Sequence, residues 1–483
     1  MAAETAQSTP SQSSLNQRPQ GCTCPPYPTI DLTDQYRRLF LSTLSSKSPS
    51  DSDIKQSNSV LLSSSSVSRR QLLDAFRHYG LFHVVVRNPP SGSHLTSLVG
   101  DVEARTKRLF EPQFLSRDGR IPASSTGGAL PDGGLHTVCF SSPEKSYSGG
   151  DSRILEATYR GRTAESGGTN GESEPKQSWE FRRCRGLVSI AEKGDEIGAQ
   201  SEGGLLDETL PKWTDALHSV ATTVVDTLGI PPSAVLNGRD CSCRSRPHAG
   251  NARAGGCHCC AIDLLRVFRY DSLTNARDQS DRPGSSEHTD WGSLTVVWQD
   301  CSGGLQAWCA ECQRWNDVPV PPGGCTASTE EGGKIRGEEE VRLFVHVGDF
   351  LSLSSGSAWP SPKHRVLCPL RDRSVDTNSS NDIMLAGRSS LVYFAYPPPG
   401  ASISDTGPIL AKVEEGASRM DESAALAMLP YQHYMLLKDQ SSKADGEECL
   451  NGKETQAKLV FDRIHSVPFD DVIRRKWNQV QRG

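Results

Sequence analysis

Glu287-His288-Thr289-Asp290-Trp291-Gly292, running into Ser293-Leu294-Thr295-Val296-Val297-Trp298, is the stretch that decides the fold. Its second half is built of β-branched and aromatic residues, the composition of a strand. Its first half reads as an extended approach to that strand. In an extended segment residues i and i+2 point to the same side. His288 and Asp290 therefore aim an imidazole and a carboxylate at one spot. Two ligands define only the edge of a metal site. Taken alone, a histidine is more often a packed or surface residue than a ligand, and His-x-Asp by itself is a weak pattern.

On either side of this stretch the chain reads as short β-rich runs, at 262–270, 293–299, 341–346, 350–353 and 389–396, with turn signals between them. Such spacing predicts a sandwich or barrel rather than a parallel sheet. Helices are expected before the runs and after them. Arg69 to His78 carries Leu72, Leu73 and Phe76 on one face and ends at Tyr79-Gly80, ahead of a strand over Leu81 to Val86. Trp213 to Leu228 places Leu217, Val220, Val224 and Leu228 on one stripe. Helical character returns after 408 and closes the chain over Phe469 to Val480. The expected fold class is mainly β with flanking helices (α+β).

Composition sets the bounds. The chain has 483 residues with 35% hydrophobic content, 43 Gly and 30 Pro, a thin apolar share for its length. One folded core with several polar inserts is therefore expected rather than three domains. Residues 1–27 read as a disordered tail, and 42–68, with 13 Ser in 27 positions, as a solvated linker. Further polar inserts are expected at 159–178, 237–260, 321–340 and 371–386, and a polar stretch before the last helix in 438–483. The formal net charge of −6 comes with no Lys/Arg block, so nucleic acid is not an expected partner. No apolar run approaches the roughly 18 residues of a membrane span, so no membrane association is expected. No basic start followed by an apolar stretch marks a secretory leader, and a cytoplasmic location with reduced cysteines is expected.

A third ligand for the spot shared by His288 and Asp290 has to come from another strand. The best candidate is His364 in Pro362-Lys363-His364-Arg365-Val366, which follows the polar turn Ser354 to Ser361. Two histidines and a carboxylate on one face of an octahedron form the donor set of non-heme Fe(II) oxygenases, with open positions for substrate and O2. Such an iron needs electrons, commonly from an organic acid bound at those positions. Gripping that acid calls for a bidentate cation, which Arg offers and Lys does not. In Arg388-Ser389-Ser390 the guanidinium and a hydroxyl share one strand face. Tyr270, ending Leu264 to Tyr270, adds a candidate phenolic hydrogen bond.

These residues, in this order, resemble the 2-oxoglutarate- and Fe(II)-dependent dioxygenases of the isopenicillin N synthase-like group. The resemblance is carried by Pro28-Thr29-Ile30-Asp31, Tyr79-Gly80-Leu81-Phe82 and Lys176-Gln177-Ser178-Trp179-Glu180-Phe181. It continues through His288 to Thr295, Gly303-Gly304-Leu305-Gln306, Gly348-Asp349, Ser361 to Val366 and Arg388-Ser389-Ser390. What it implies is a double-stranded β-helix, or jelly roll, with helices outside. His288, Asp290 and His364 would bind Fe(II), and Arg388 and Ser390, with Tyr270, the co-substrate 2-oxoglutarate. Succinate and CO2 would be released while a small organic molecule is oxidised by O2, usually by hydroxylation. The implied catalytic unit spans 28–437, with an N-terminal part at 28–235 and a jelly-roll core at about 261–400. The chain departs from the pattern at Phe268, where many relatives carry Asn two residues before the tyrosine.

Two other readings stay open. The first is an oxidase of the same group that does not use 2-oxoglutarate, with Arg388 and Ser390 gripping the substrate's own carboxylate. The second is a non-catalytic interaction protein whose Cys-rich insert binds structural zinc. Cys241, Cys243, Cys257, Cys259 and Cys260, near His248 and His258, could supply a tetrahedral set, although the spacing is not that of a standard finger. Cys309-Ala310-Glu311-Cys312 is read as a hairpin turn rather than a redox pair.

Overall fold

The computed structural model describes residues 27–44, 66–98, 102–108, 110, 136–140, 176–184, 209–237, 262–273, 283–320, 340–370, 387–398, 400–413 and 468–469. The expected tail, most of the Ser-rich linker, nearly all of the four inserts, the cysteine cluster at 241–260 and the closing helix beyond Phe469 lie outside these residues.

Twelve strands stand among the described residues. They are β1 (Thr29–Asp31), β2 (Leu81–Arg87), β3 (His136–Phe140), β4 (Lys176–Cys184), β5 (Ile262–Asp271), β6 (Ser285–His288), β7 (Leu294–Gln299), β8 (Leu305–Cys309), β9 (Arg314–Asp317), β10 (Glu340–Val347), β11 (His364–Val366) and β12 (Gly387–Ala395). Eight form one sheet in the order β1-β2-β10-β7-β12-β5-β4-β3, and four form a second in the order β6-β11-β8-β9. Neighbours are antiparallel throughout, except that β1 runs parallel to β2.

Each face of the large sheet has its own cover. One face meets helices: 66–78 and Leu210–Leu228 pack with the sheet residues Val84, Leu265, Val296, Leu343 and Leu391 in one buried cluster. Trp213 and Trp359 are fully buried there, and Trp359 meets Phe76 edge-on at 5.0 Å. The helix Leu210–Leu228 ends because Gly229 takes φ 82°, the left-handed conformation that only glycine adopts without strain. The other face meets the small sheet. Phe268, Tyr270, Val297 and Phe344 of the large sheet share a core with Leu305, Ala307 and Val366 of the small one. The candidate ligands sit along this inter-sheet layer.

The expectation of a strand over 350–353 is corrected. Asp349–Ser354 is a helix of six residues, in which Ser352 N–H donates to Gly348 O at 3.0 Å. Asp349, Phe350, Leu351, Ser352 and Ser354 are all buried, so polarity carries no period there, and a short apolar run cannot be told from a strand. Two boundaries also shift. The helix Thr33–Leu44 runs into the segment expected as linker, and β4 begins at Lys176, inside the segment expected as insert. The Cys309–Cys312 segment forms the turn of the β8–β9 hairpin, as expected.

Candidate metal and co-substrate site

The pairing of two short strands brings the triad together. β11 pairs with β6 so that His364 lies directly across from His288, with ring centroids 4.3 Å apart. Asp290 follows two residues after His288. Its carboxylate Oδ1 lies 3.6 Å from His288 Nε2 and 4.0 Å from His364 Nε2. One donor atom from each of the three residues falls within 4.8 Å of the others, the only such group of His, Cys, Asp or Glu side chains among the described residues. Asp290 and His364 are buried and His288 is partly exposed.

Backbone carbonyls set the imidazoles for ligation. His288 Nδ1 lies 2.7 Å from Ser286 O, and His364 Nδ1 lies 3.0 Å from Pro362 O. A carbonyl only accepts, so Nδ1 of each ring carries a proton, and Nε2 is the ring atom that faces Asp290. Burial, reinforced by the neighbouring His364, pushes His288 down to about 4, against the pull of Asp290, so it is neutral at physiological pH. Burial alone would raise Asp290. The imidazoles of His346, His364 and His288 and the Thr295 hydroxyl outweigh it and hold the carboxyl below its ordinary range. Two imidazoles and one carboxylate brought this close together fit a divalent first-row metal.

The loop bearing Asp290 is clamped by the Gly348-Asp349-Phe350 segment. Asp349 N–H donates to Asp290 O at 2.7 Å, Gly348 N–H to Ser293 O at 2.9 Å, and Thr289 Oγ1 to Asp349 Oδ2 at 3.0 Å. A Cβ at Gly348 would stand 2.1 Å from Gly292 O, so that close approach requires glycine.

Arg388, Ser390 and Tyr270 form a second group. Arg388 is 1% exposed and donates Nε to Gly303 O at 2.7 Å and Nη2 to Gln299 Oε1 at 2.8 Å. Its Nη1 reaches Ser390 Oγ at 3.4 Å, and the guanidinium carbon stands 4.9 Å from the centre of the Tyr270 ring. Nearby Asp300 does not neutralise it at contact distance. The Asp300 carboxylate accepts from Ser389 N–H at 2.5 Å and Ser302 N–H at 3.0 Å, and burial raises its pKa despite Arg388. Strand pairing explains the grouping, since Arg388 lies across from Tyr270, and Ser390 across from Phe268 on one side and Gln299 on the other. Phe268, at the position of the departure noted above, stacks on Tyr270 at 5.8 Å.

Sequence reasoning missed His346, Thr295 and Gln299. His346 stood out in one respect, as an imidazole inside the apolar run Leu343-Phe344-Val345-His346-Val347. Its Nε2 lies 3.4 Å from Asp290 Oδ2, and burial pushes it down to about 3.

No family model matches the chain. Against curated proteins it is 28% identical over 141 residues to the 2-oxoglutarate-dependent dioxygenase frbA of Dothideomycetidae sp. (strain 11243), covering 29% of this chain and 35% of that one. It is 24% identical over 199 residues to gibberellin 2-beta-dioxygenase 2 of Arabidopsis thaliana, covering 41% and 44%. The matched segments are thus similar to parts of proteins named as 2-oxoglutarate-dependent dioxygenases. The matches span less than half the length of these two dioxygenases. Among solved structures, the rice dioxygenase for auxin oxidation is similar at 16% identity over 79% of this chain and 87% of that one, with a TM-score of 0.40. No helix among the described residues is long and apolar enough to cross a membrane.

Proposed function

We propose that this protein is a non-heme Fe(II)- and 2-oxoglutarate-dependent dioxygenase that oxidises, in the simplest case hydroxylates, a small organic molecule with O2 and releases succinate and CO2. The observation that carries the reading is the convergence of His288, Asp290 and His364, with both imidazole Nε2 atoms turned toward one carboxylate oxygen. These three residues would hold Fe(II), which when bound supplies O2 activation. Arg388 is the counter-charge for the far carboxylate of 2-oxoglutarate. It is buried, fixed by Gly303 and Gln299, and offers its remaining donors beside the Ser390 hydroxyl. Tyr270 stands beside the same guanidinium. Burial of Arg388 and Ser390 excludes the water that would otherwise compete for the guanidinium.

Two sheets sharing one apolar layer support a double-stranded β-helix, and the motif order from Pro28 to Ser390 supports the isopenicillin N synthase-like group. We read the catalytic unit as one core at 28–437, with the polar segments as inserts and with a cytoplasmic setting.

Full-length protein with Fe(II), 2-oxoglutarate and a metabolite mixture tests the reading. O2-dependent succinate release, with one compound gaining a single oxygen, is expected in the wild type and not in His364→Ala. Substrate turnover without succinate would instead support the oxidase, and absence of iron binding the interaction protein.

A further inference from the structure

The two oxygens of the Asp290 carboxylate face different surroundings. Oδ1 faces His288 Nε2 and His364 Nε2 at 3.6 and 4.0 Å. Oδ2 accepts the Thr295 hydroxyl at 2.5 Å and has His346 Nε2 at 3.4 Å. His346 and Thr295 are a cross-strand pair of β10 and β7, so one rung of the large sheet presents both groups to one oxygen. The His346 ring is 2% exposed and stands 4.6 Å, centroid to centroid, from that of His364. It lies outside the group of three donor atoms within 4.8 Å of one another, and so is not a ligand candidate.

We infer that His346 is a positioning residue for the carboxylate ligand: together with Thr295 it engages Asp290 Oδ2 and leaves Oδ1 alone to face the metal. The inference rests on the metal-site reading above. A carboxylate that binds through both oxygens occupies two coordination positions, whereas one that binds through a single oxygen frees a position. A site that must also admit a chelating organic acid and O2 needs that position. Imidazole suits the task, because in its neutral form it has one N–H to give and no charge to repel the cation. The 3.4 Å separation is slightly longer than a usual N–H···O bond, so His346 stands at the edge of hydrogen-bond reach of Oδ2. Outer partners of this kind typically change metal affinity 10- to 100-fold when removed.

The test is Co(II) titration of the full-length protein under anaerobic conditions, read by visible d–d absorption and by competition with Fe(II). His346→Phe keeps the ring and removes the donor. Its Co(II) dissociation constant is expected to rise about tenfold, and its d–d band to weaken as the carboxylate swings to bidentate binding. His346→Gln, which restores an N–H, is expected to recover the wild-type band. A folded Phe variant with wild-type affinity and spectrum would overturn the inference. If the Phe variant does not fold, Thr295→Val addresses the same oxygen from the neighbouring strand: the same weakening and band change support the inference, and an unchanged titration overturns it. If the wild type binds no Co(II), the metal-site reading falls with it. If the wild type binds and the variants match it, the positioning role alone falls.

Discussion

Arg388 shows most sharply how a single side chain can be specified. Its donors reach a backbone carbonyl, an amide oxygen and a hydroxyl in three directions, a fan that only a planar guanidinium provides. Lysine would keep the charge and lose the geometry. Arg388→Lys is therefore expected to weaken 2-oxoglutarate binding on the order of 10- to 100-fold, the worth of one or two charge-assisted hydrogen bonds. Co(II) affinity should stay unchanged, and parallel titrations with the two ligands check both halves. The residues proposed for iron and 2-oxoglutarate were legible in the sequence because a period of two fixes which side chains share a strand face. His346 and Thr295 were not. Their proximity to Asp290 depends on the register between β10 and β7, which no local pattern encodes.

Among the elements, the junction between β10 and the helix Asp349–Ser354 bears most directly on the site. Its backbone holds the Asp290 loop from one side, while Ser293 N–H donates to Ala395 O at 2.9 Å on the other. Gly348→Ala would drive a methyl group into the Gly292 carbonyl, which is backbone and cannot swing away. We expect a loss of about 2 kcal/mol or more in unfolding free energy, together with weaker Co(II) binding, measured by denaturant titration and by spectroscopy. The Gly348-Asp349 pair is visible in the sequence as part of a motif, but the helix after it reads there as a strand. Burial on every side removes the polar alternation that separates the two conformations. Strands β2, β5, β7, β10 and β12 were legible for the opposite reason, because long β-branched runs bounded by turns have few other solutions.

Across the whole molecule, stability should depend on pH through buried histidines. His83 on β2 packs its ring 4.3 Å from Phe344 on β10, and burial, aided by Arg342, pushes its pKa down from 6.5 to about 4. Above pH 6.5 both folded and unfolded chains carry it neutral, and it adds no pH dependence. As pH falls from 6.5 toward 4 the unfolded chain takes up the proton first, so the folded state loses up to about 3 kcal/mol; below about 4 the loss levels off. His83→Phe should flatten that fall, and the difference between the two denaturation curves over this range isolates it. An unchanged slope would place the pH dependence elsewhere. The thin apolar content of the sequence fits an architecture in which one apolar layer between two sheets, and one under helices, does the packing. The central claim is that three ligands and one arginine on those sheets hold Fe(II) and 2-oxoglutarate together. Anaerobic addition of both to the full-length protein, followed by visible absorption, tests it most directly. A weak charge-transfer band is predicted in the wild type and lost in Asp290→Ala and His364→Ala, whereas a wild type that never develops the band contradicts the account.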